Sequence, residues 1–366
     1  MDKDGDNMDI SIEQKLFASY IKYDVLEQLT LTAFKNSNAD VVNIYIDMHS
    51  ILKPLYASGK YMINNIPTSI ASSMINLCAH MRAYYRSRHH VETRIYLIYS
   101  ENRCELNNRI YEGYNNSWRD TLNNNRNITK SINENLELLD ILCPYFNDIF
   151  FIRTEFEPAV VILDRICKDE GILFGVPNII ISKDPYMYQV VAMKDNTVIF
   201  RPKKFEGKDV SFLVTKPYVI YNYMTLFKEK IRNHEDLAYD PGIFSLFLAM
   251  TKLPSRNIPA LFSSNKAFSI LNNLINNNYI INGYNFAPVI QDISLQLNTN
   301  LKSRESIKYD IPTRFKAIDI VFQHEIFLTR PEALDERYLI RKIDNDGVRE
   351  INNKYFRANP LDLMRL

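Results

Sequence analysis

Residues 41–50 read VVNIYIDMHS, and this stretch decides the fold. Residues 41–46 are rich in β-branched side chains, which is typical of a short buried strand. The strand ends at Asp47, and open α/β folds place their ligand chemistry at the carboxyl ends of such strands. An aspartate after a strand is more often a helix cap, so Asp47 alone indicates a site only weakly.

Strand-like and helix-like segments alternate on both sides of this stretch. Before it, residues 11–35 have the apolar spacing of one amphipathic helix, and residues 36–40 form a polar break. The pattern then predicts helices at 70–86, 132–142 and 158–168 and strands at 94–99, 149–152 and 179–182. Residues 198–200 and 218–221 are predicted to extend the edge of the sheet. The alternation predicts an α/β fold with a central, mostly parallel sheet flanked by helices.

The chain turns helical after about residue 240, with helices predicted at 243–250 and 268–275 and a strand-like run at 318–322. We therefore divide it into four regions. These are an N-terminal helical arm (1–40), an α/β core (41–240), a helical region (241–300) and a C-terminal extension (301–366).

Composition excludes several classes of protein. No apolar run approaches the roughly 20 residues of a membrane span, and Met1–Asp9 is too polar for a signal peptide. The four cysteines lack metal-site spacing. The net charge of +1 lacks the basic excess usual in proteins that hold DNA by its phosphates. We expect a cytoplasmic product without membrane association, and the richness in Asn, Ile, Lys and Tyr suggests an AT-rich genome such as that of a phage.

Four further segments follow the first strand in a meaningful order. They are IYEGY at 110–114 with Trp118 and Arg119 after it, EFEPAVVI at 155–162, ISKDPYMYQ at 181–189, and LAMTKLPSRNIP at 248–259. Together with residues 41–50 they resemble, loosely but collinearly, the motifs of the flap-endonuclease and phage 5′→3′ exonuclease family. The resemblance covers about residues 43–275. It implies a PIN-like or FEN-like core followed by a helical hairpin.

The resemblance also implies two-metal hydrolysis of phosphodiesters, in which clustered carboxylates hold divalent ions. Three acids of the family pattern are retained at Asp47, Glu157 and Asp184. Other acidic positions have changed. They fall on Tyr99 or Ser100, Ala159, Val160, Tyr186, Leu253 and Arg256.

The altered positions predict a vestigial site formed by the three acids with Tyr186, Leu253 and Arg256. Arg256 would place a fixed cation where the family has a carboxylate, which repels a metal ion and attracts Asp47 or Asp184. We therefore expect no catalytic residue, no metal and no other cofactor.

The family's DNA-binding features are also altered. The lysine of its arch falls on Asn115, and a shift of one residue would let Arg119 take part. Its glycine-rich hairpin falls on ALFSSN at 260–265, which has no glycine. Glycine permits the close approach of a phosphate, so a packed apolar turn is the simpler prediction. The remaining candidate contacts with nucleic acid are Arg86, Arg88, Tyr114 and Arg119. A solvated helix end or loop is the simpler explanation for the two arginines, and core or interface packing is the simpler one for Tyr114.

The sequence favours a protein that is not an enzyme. The first expectation is a structural or assembly protein built on the 5′-nuclease fold. It would be a phage virion component such as a ring or connector, located in the virion or otherwise in the host cytoplasm. Its partners would be further subunits, most simply copies of itself. The alternatives are a non-catalytic protein that binds flap or single-stranded DNA, and an active magnesium-dependent 5′ nuclease.

Overall fold

The sheet predicted from residues 41–50 is present in the computed structural model. That structure describes residues 23–33, 39–50, 52, 68–101, 105–114, 126–170, 175–194, 196–202, 218–221, 241–253, 256–276, 311–330, 346 and 349–350. Six strands form one sheet: β1 (Val41–Asp47), β2 (Glu92–Ser100), β3 (Ile149–Thr154), β4 (Asn178–Ile181), β5 (Thr197–Pro202) and β6 (Tyr218–Tyr221). Their order is β3-β2-β1-β4-β5-β6. The first five strands are parallel, and β6 pairs with β5 in the antiparallel direction.

Helices cover both faces of this sheet, which confirms the predicted α/β class. In chain order they are α1 (Tyr23–Ala33), α2 (Thr68–His89), α3 (Glu105–Ile110), α4 (Arg126–Leu142), α5 (Pro158–Glu170), α6 (Tyr188–Met193), α7 (Pro241–Met250), α8 (Ser264–Asn276), α9 (Ile311–Ile318) and α10 (Ile320–Leu328). One apolar cluster joins one face of the sheet to α1, α2 and α4, and a second joins the other face to α5 and α6 and to the helices α7–α10.

The alternation of side chains along β1 explains these two clusters. Tyr45 faces the cluster of α5, whereas Ile44 and Ile46 face that of α2. Asn43 is a polar residue in the interior of the strand, and it is fully buried. Its amide nitrogen donates to Asp169 at 2.9 Å and to Asn178 at 3.1 Å. Burial of the amide nitrogen is therefore compensated by hydrogen bonds, whereas the amide oxygen has no hydrogen-bond partner among the described residues.

The strand predicted at 318–322 is wrong. Helix α9 ends at Ile318, helix α10 begins at Ile320, and Asp319 lies between them. The carboxylate of Asp319 accepts a hydrogen bond from the amide of Phe322 at 2.9 Å, so this aspartate caps α10. The β-branched run 318–322 resembles a strand in sequence, but it is the buried junction of two helices.

The C-terminal helices pack on the α/β core through buried polar contacts. Gln189 of α6 donates to the carbonyl of Ile318 at 2.9 Å. Its amide oxygen accepts from the Ser245 hydroxyl at 2.8 Å and from the Ile320 amide at 3.2 Å. One side chain thus joins α6, α7, α9 and α10. The region boundaries at 40, 240 and 300 stay predictions, as does the helix before residue 23, which lies outside the described residues.

We expect the substitution Gln189→Leu to lower the free energy of unfolding by about 1–3 kcal/mol, because it leaves three buried polar groups without their partner. Urea unfolding of the whole chain measures this change. The matched control is Gln28→Leu on the exposed side of α1, for which the change is within about 0.5 kcal/mol. Equal unfolding midpoints for the two variants would contradict the joining role of Gln189.

Candidate functional site

The polar side chains that follow the parallel strands gather at one edge of the sheet. Asp47 ends β1 and Ser100 ends β2, while Ser182 and Asp184 come directly after β4. Glu157 lies between the end of β3 and the start of α5. Parallel strands of one sheet present their carboxyl ends to the same side, so these residues meet there. We call this side of the sheet the carboxyl edge.

Asp47 is buried, and its carboxylate accepts hydrogen bonds from hydroxyl groups in the segments that follow β1 and β4. One carboxylate oxygen accepts from the amide of His49 at 3.1 Å. The other accepts from the hydroxyls of Ser50 at 2.6 Å and Ser182 at 2.7 Å. The aspartate therefore caps the backbone after β1 and joins it to the backbone after β4. Its carboxylate is held by hydrogen-bond donors, with Ser182 also accepting from the amide of Asp184 at 3.0 Å.

Tyr99 and Ser100 end β2, where the family resemblance implies an acid. Tyr99 is buried, and its ring stacks on that of His49 with centroids 4.5 Å apart. The ring nitrogen Nε2 of His49 donates to the carbonyl of Ser100 at 2.8 Å. This part of the carboxyl edge is filled by two stacked rings.

Glu157, Asp184 and Arg256 form a buried ion cluster. Arg256 Nε donates to Glu157 Oε1 at 2.7 Å, and Arg256 Nη2 donates to Glu157 Oε2 at 2.7 Å. The same Nη2 also donates to Asp184 Oδ2. Glu157 is fully buried and Arg256 is 1% exposed. Charges at this depth must be paired, and here the two carboxylates share one guanidinium.

Two tyrosine rings enclose the guanidinium. Its carbon lies 5.9 Å from the centroid of the Tyr114 ring and 5.3 Å from that of Tyr186, within the range of cation–π attraction. The Tyr114 hydroxyl also donates to Glu157 Oε1 at 2.9 Å. Tyr114 and Tyr186 are both buried. Their rings thus contribute to a closed pocket around Arg256, and neither faces solvent.

A tight turn carries Arg256 into the pocket. Leu253 and Ile258 exchange backbone hydrogen bonds of 3.0 and 3.1 Å across it, and the Arg256 amide donates to the Leu253 carbonyl at 3.0 Å. Asn257 has φ of +56°, a left-handed conformation that asparagine tolerates better than most residues. Its side chain donates to the carbonyl of Gly113 at 3.1 Å, next to Tyr114. These hydrogen bonds fix the turn and so position the guanidinium of Arg256 beside the two carboxylates.

The residues at the carboxyl edge do not fit the divalent ions that the family resemblance implies. Magnesium requires several oxygen ligands in near-octahedral geometry. Arg256 engages both oxygens of Glu157 and one of Asp184, while the remaining Asp184 oxygen accepts from the Tyr186 amide at 3.0 Å. In the part of the chain that the structure describes, no group of three or more His, Cys, Asp or Glu side chains could hold a metal ion.

A second feature of the carboxyl edge is a pair of basic side chains, Lys183 after β4 and Arg201 near the end of β5. The strands are neighbours, with Ile181 opposite Phe200 and the Ser182 amide donating to the Phe200 carbonyl at 3.2 Å. Burial and the charge of Arg201 lower the pKa of Lys183 to about 8. Sequence reasoning missed Arg201, although a cation directly after the apolar residues 198–200 was a usable signal.

The other predicted contacts are distributed over the molecule. Arg86 and Arg88 lie in the last turn of α2, which leads into the start of β2, so they are at the amino edge of the sheet. Arg86 pairs there with Glu92 at 3.9 Å. They therefore lie on the opposite side of the sheet from Tyr114. Arg119 and Asn115 lie outside the described residues.

The remaining predicted positions are apolar or structural. Leu253 is buried and lies in the turn before Arg256. Leu261 is buried at the end of α7, where its backbone amide donates a hydrogen bond to the carbonyl of Met250 at 3.0 Å. Among the described helices, none has both the length and the apolar character needed to cross a membrane.

Comparison with models of protein families gave no match, and comparison with curated proteins gave none. Solved structures do match. A flap endonuclease of bacteriophage T5, described as a pseudo-enzyme–product complex with DNA and metal ions, has a TM-score of 0.50 and 12% identity, over 84% of this chain and 98% of its own. A mutant of the T5 5′-exonuclease gives 0.48 and 12% over 84% and 98%. Human GEN1 in complex with Holliday junction DNA gives 0.43 and 12% over 86% and 67%.

The T5 match with a TM-score of 0.50 contradicts the expectation that the chain is not an enzyme, and that expectation is wrong. The matched protein is named as a flap endonuclease, so this fold is found in an enzyme. The changed residues at the carboxyl edge do not by themselves establish inactivity. At 12% identity the likeness shows the fold. The chain therefore has the FEN-like, PIN-like α/β fold of the 5′-nucleases.

Proposed function

We propose that this chain is a DNA-binding protein built on the 5′-nuclease fold, with the phosphodiester backbone of the DNA lying along the carboxyl edge of the sheet. The observation that carries the proposal is the basic pair, Lys183 and Arg201, on neighbouring strands of that edge. Both side chains are half-buried. Two cations in this position favour an anion between them, and the repeating anion of nucleic acid is phosphate.

The electrostatics of Lys183 support this assignment. Its pKa is lowered first by burial and then by the guanidinium of Arg201. Both causes act against the protonated amine in the free protein. A phosphate placed beside the pair would reverse the balance, because its negative charge stabilises the ammonium.

Arg201 is held in place by a neighbouring ring. Its guanidinium carbon lies 5.4 Å from the centroid of the Tyr188 ring, and one of its nitrogens donates to the Tyr188 hydroxyl. Tyr188 is buried. An arginine held by a fixed ring loses less conformational freedom on binding than a mobile one, which favours affinity.

The fold supports DNA as the partner. The T5 flap endonuclease that this chain resembles was solved with DNA. The net charge of +1 means that the attraction would be local to the carboxyl edge and not spread over the molecule. A flap with a single-stranded 5′ end is the form of DNA that we propose, by analogy with that protein.

We expect Lys183→Ala and Arg201→Ala each to weaken the binding of a 5′-flap oligonucleotide. Each should reduce the slope of log affinity against log salt by about 0.7–0.9, because each lost cation releases one fewer counterion. Fluorescence anisotropy between about 50 and 200 mM salt measures both quantities. The matched control is Arg86→Ala at the amino edge, which should leave the slope unchanged.

The proposal fails if the wild-type chain shows no salt-dependent binding, or if Arg86→Ala weakens binding as much as Lys183→Ala. The same reactions, with magnesium or manganese added, are examined for shortened oligonucleotides on a denaturing gel. Cleavage would add an activity to the binding site and would not alter the test of the basic pair.

We further expect DNA affinity to decrease as the pH rises above about 8, because Lys183 loses its proton there. Below that pH the free protein carries the ammonium, and above it binding must recruit a proton. Lys183→Arg should bind with the same affinity at pH 7 and at pH 9, since a guanidinium stays protonated over this range. A wild-type affinity that is flat across this range would contradict the role of Lys183.

A second candidate function is a subunit role in a larger assembly, such as a phage particle. The supporting observation is the exposure of leucines in the two regions outside the family resemblance. Leu31 on α1 is 66% exposed and Leu328 at the end of α10 is 49% exposed. Large apolar side chains that lie open to water favour contact with another protein surface.

For this candidate, light scattering should give a mass well above the 42.9 kDa of one chain. The double substitution Leu31→Lys with Leu328→Lys should return that mass to the monomer, because charged side chains disfavour an apolar contact. The exposed Ser87→Lys on α2 is a control that should not change the mass. A monomeric wild-type chain at all concentrations would exclude self-assembly.

A further inference from the structure

We propose that the Arg256 guanidinium is the resident cation of the carboxyl-edge pocket, held where a divalent ion would otherwise bind, and that shortening this side chain converts the pocket into a divalent-cation site. The proposal starts from the disagreement between the fold and the residues. The fold resembles that of a protein solved with metal ions, whereas the acids of this pocket are bonded to an arginine.

The carboxylate oxygens that would bind an ion are already occupied. Three carboxylate oxygens, two from Glu157 and one from Asp184, accept from Arg256. A cation and a guanidinium cannot share these oxygens, because both need the same lone pairs and because their charges repel. The bidentate geometry on Glu157 is the strongest arrangement available to an arginine and a carboxylate.

Removal of Arg256 would change the charge of the pocket. Glu157 is fully buried and Asp184 is 8% exposed, and without Arg256 they would be two buried carboxylates at close range that have lost their shared guanidinium. Buried charges of this kind recruit a proton or a cation. A divalent ion can bridge two carboxylates from different strands, as manganese and magnesium do with oxygen ligands.

An ion would also need a cavity of its own and groups that keep Glu157 and Asp184 oriented toward it. A guanidinium shortened to a methyl group would leave a polar cavity between the Tyr114 and Tyr186 rings, which now lie 5.9 and 5.3 Å from it. The Tyr114 hydroxyl, 2.9 Å from Glu157, would keep that carboxylate oriented. Asp184 is likewise oriented by the amide of Tyr186. Each acid therefore keeps one hydrogen-bond donor when Arg256 is removed, and the Tyr114 hydroxyl loses the bond that it now accepts from Arg256 Nε at 3.1 Å.

The test compares manganese binding by the wild-type chain, Arg256→Ala and Arg256→Asp, with manganese alone as the probe. Binding is followed by electron paramagnetic resonance of free Mn²⁺ and by thermal unfolding. We expect at least roughly tenfold tighter saturable binding in both variants than in the wild type, with Arg256→Asp the tighter because it adds a carboxylate. Manganese should raise the unfolding temperature of the variants only, since it binds their folded state.

The matched control is Arg314→Ala. Arg314 is also a fully buried arginine, but it donates to the backbone carbonyls of Ala249, at 3.0 Å, and Pro259. Its removal leaves no buried carboxylate, so manganese binding should stay at the wild-type level. A second control, Arg256→Ala with Asp184→Asn, should lose the manganese binding gained by Arg256→Ala.

Three results would overturn the proposal. The wild-type chain could bind manganese as tightly as the variants, with Asp184→Asn abolishing that binding. The folded variants could bind no more tightly than the wild type. Both variants could also fail to fold at every manganese concentration, which would mean that the metal does not replace the guanidinium. None of these results depends on Lys183 or Arg201, so the DNA-binding proposal is tested separately.

Discussion

Pairing of buried charge at the carboxyl edge constrains this molecule more than any other interaction. Glu157 directly precedes α5, Asp184 follows strand β4, and Arg256 lies between α7 and α8. Removing one member of such a buried group is typically worth about 3–5 kcal/mol, because the other members remain charged without water. The ion cluster therefore fixes the position of the helical region on the sheet, and the turn at 253–258 and the two tyrosine rings are arranged around it.

The same edge of the sheet has two electrostatically different halves. Around Asp47, Glu157 and Asp184 the carboxylates accept hydrogen bonds from hydroxyls, amides and one guanidinium of the same chain. Lys183 and Arg201 lie on neighbouring strands, and burial together with the charge of Arg201 lowers the pKa of Lys183. In a two-metal nuclease the negative half must hold ions before it can approach a phosphate. Here the acids already have a cation, so the side of the edge that would attract a phosphate is the basic one.

Much of this architecture could be predicted from the sequence, because it depends on local patterns. The buried strand at 41–47 and the alternation after it identified the parallel sheet, and the collinear motifs brought Glu157, Asp184 and Arg256 together before any contact was known. One error has a physical cause. Residues 318–322 have the β-branched composition of a strand, but Asp319 caps a helix there, and short apolar runs do not distinguish the two. Tyr114 was a candidate for contact with nucleic acid, with core packing as the simpler alternative, and the sequence alone does not distinguish a ring that stacks on bases from one that is buried beside Glu157 and Arg256.

What the sequence could not supply is the partner of each charge. A missing acid at 256 predicts a weaker metal site, but only geometry shows that the guanidinium donates to Glu157 through two nitrogens and reaches Asp184 with one of them. The difference matters for interpretation. A pocket that merely lost ligands would be left with excess negative charge and would still attract cations. A pocket whose acids are bonded to an arginine within the same chain has its carboxylate oxygens occupied independently of metal concentration, so the part of this edge that would attract an anion is its basic half.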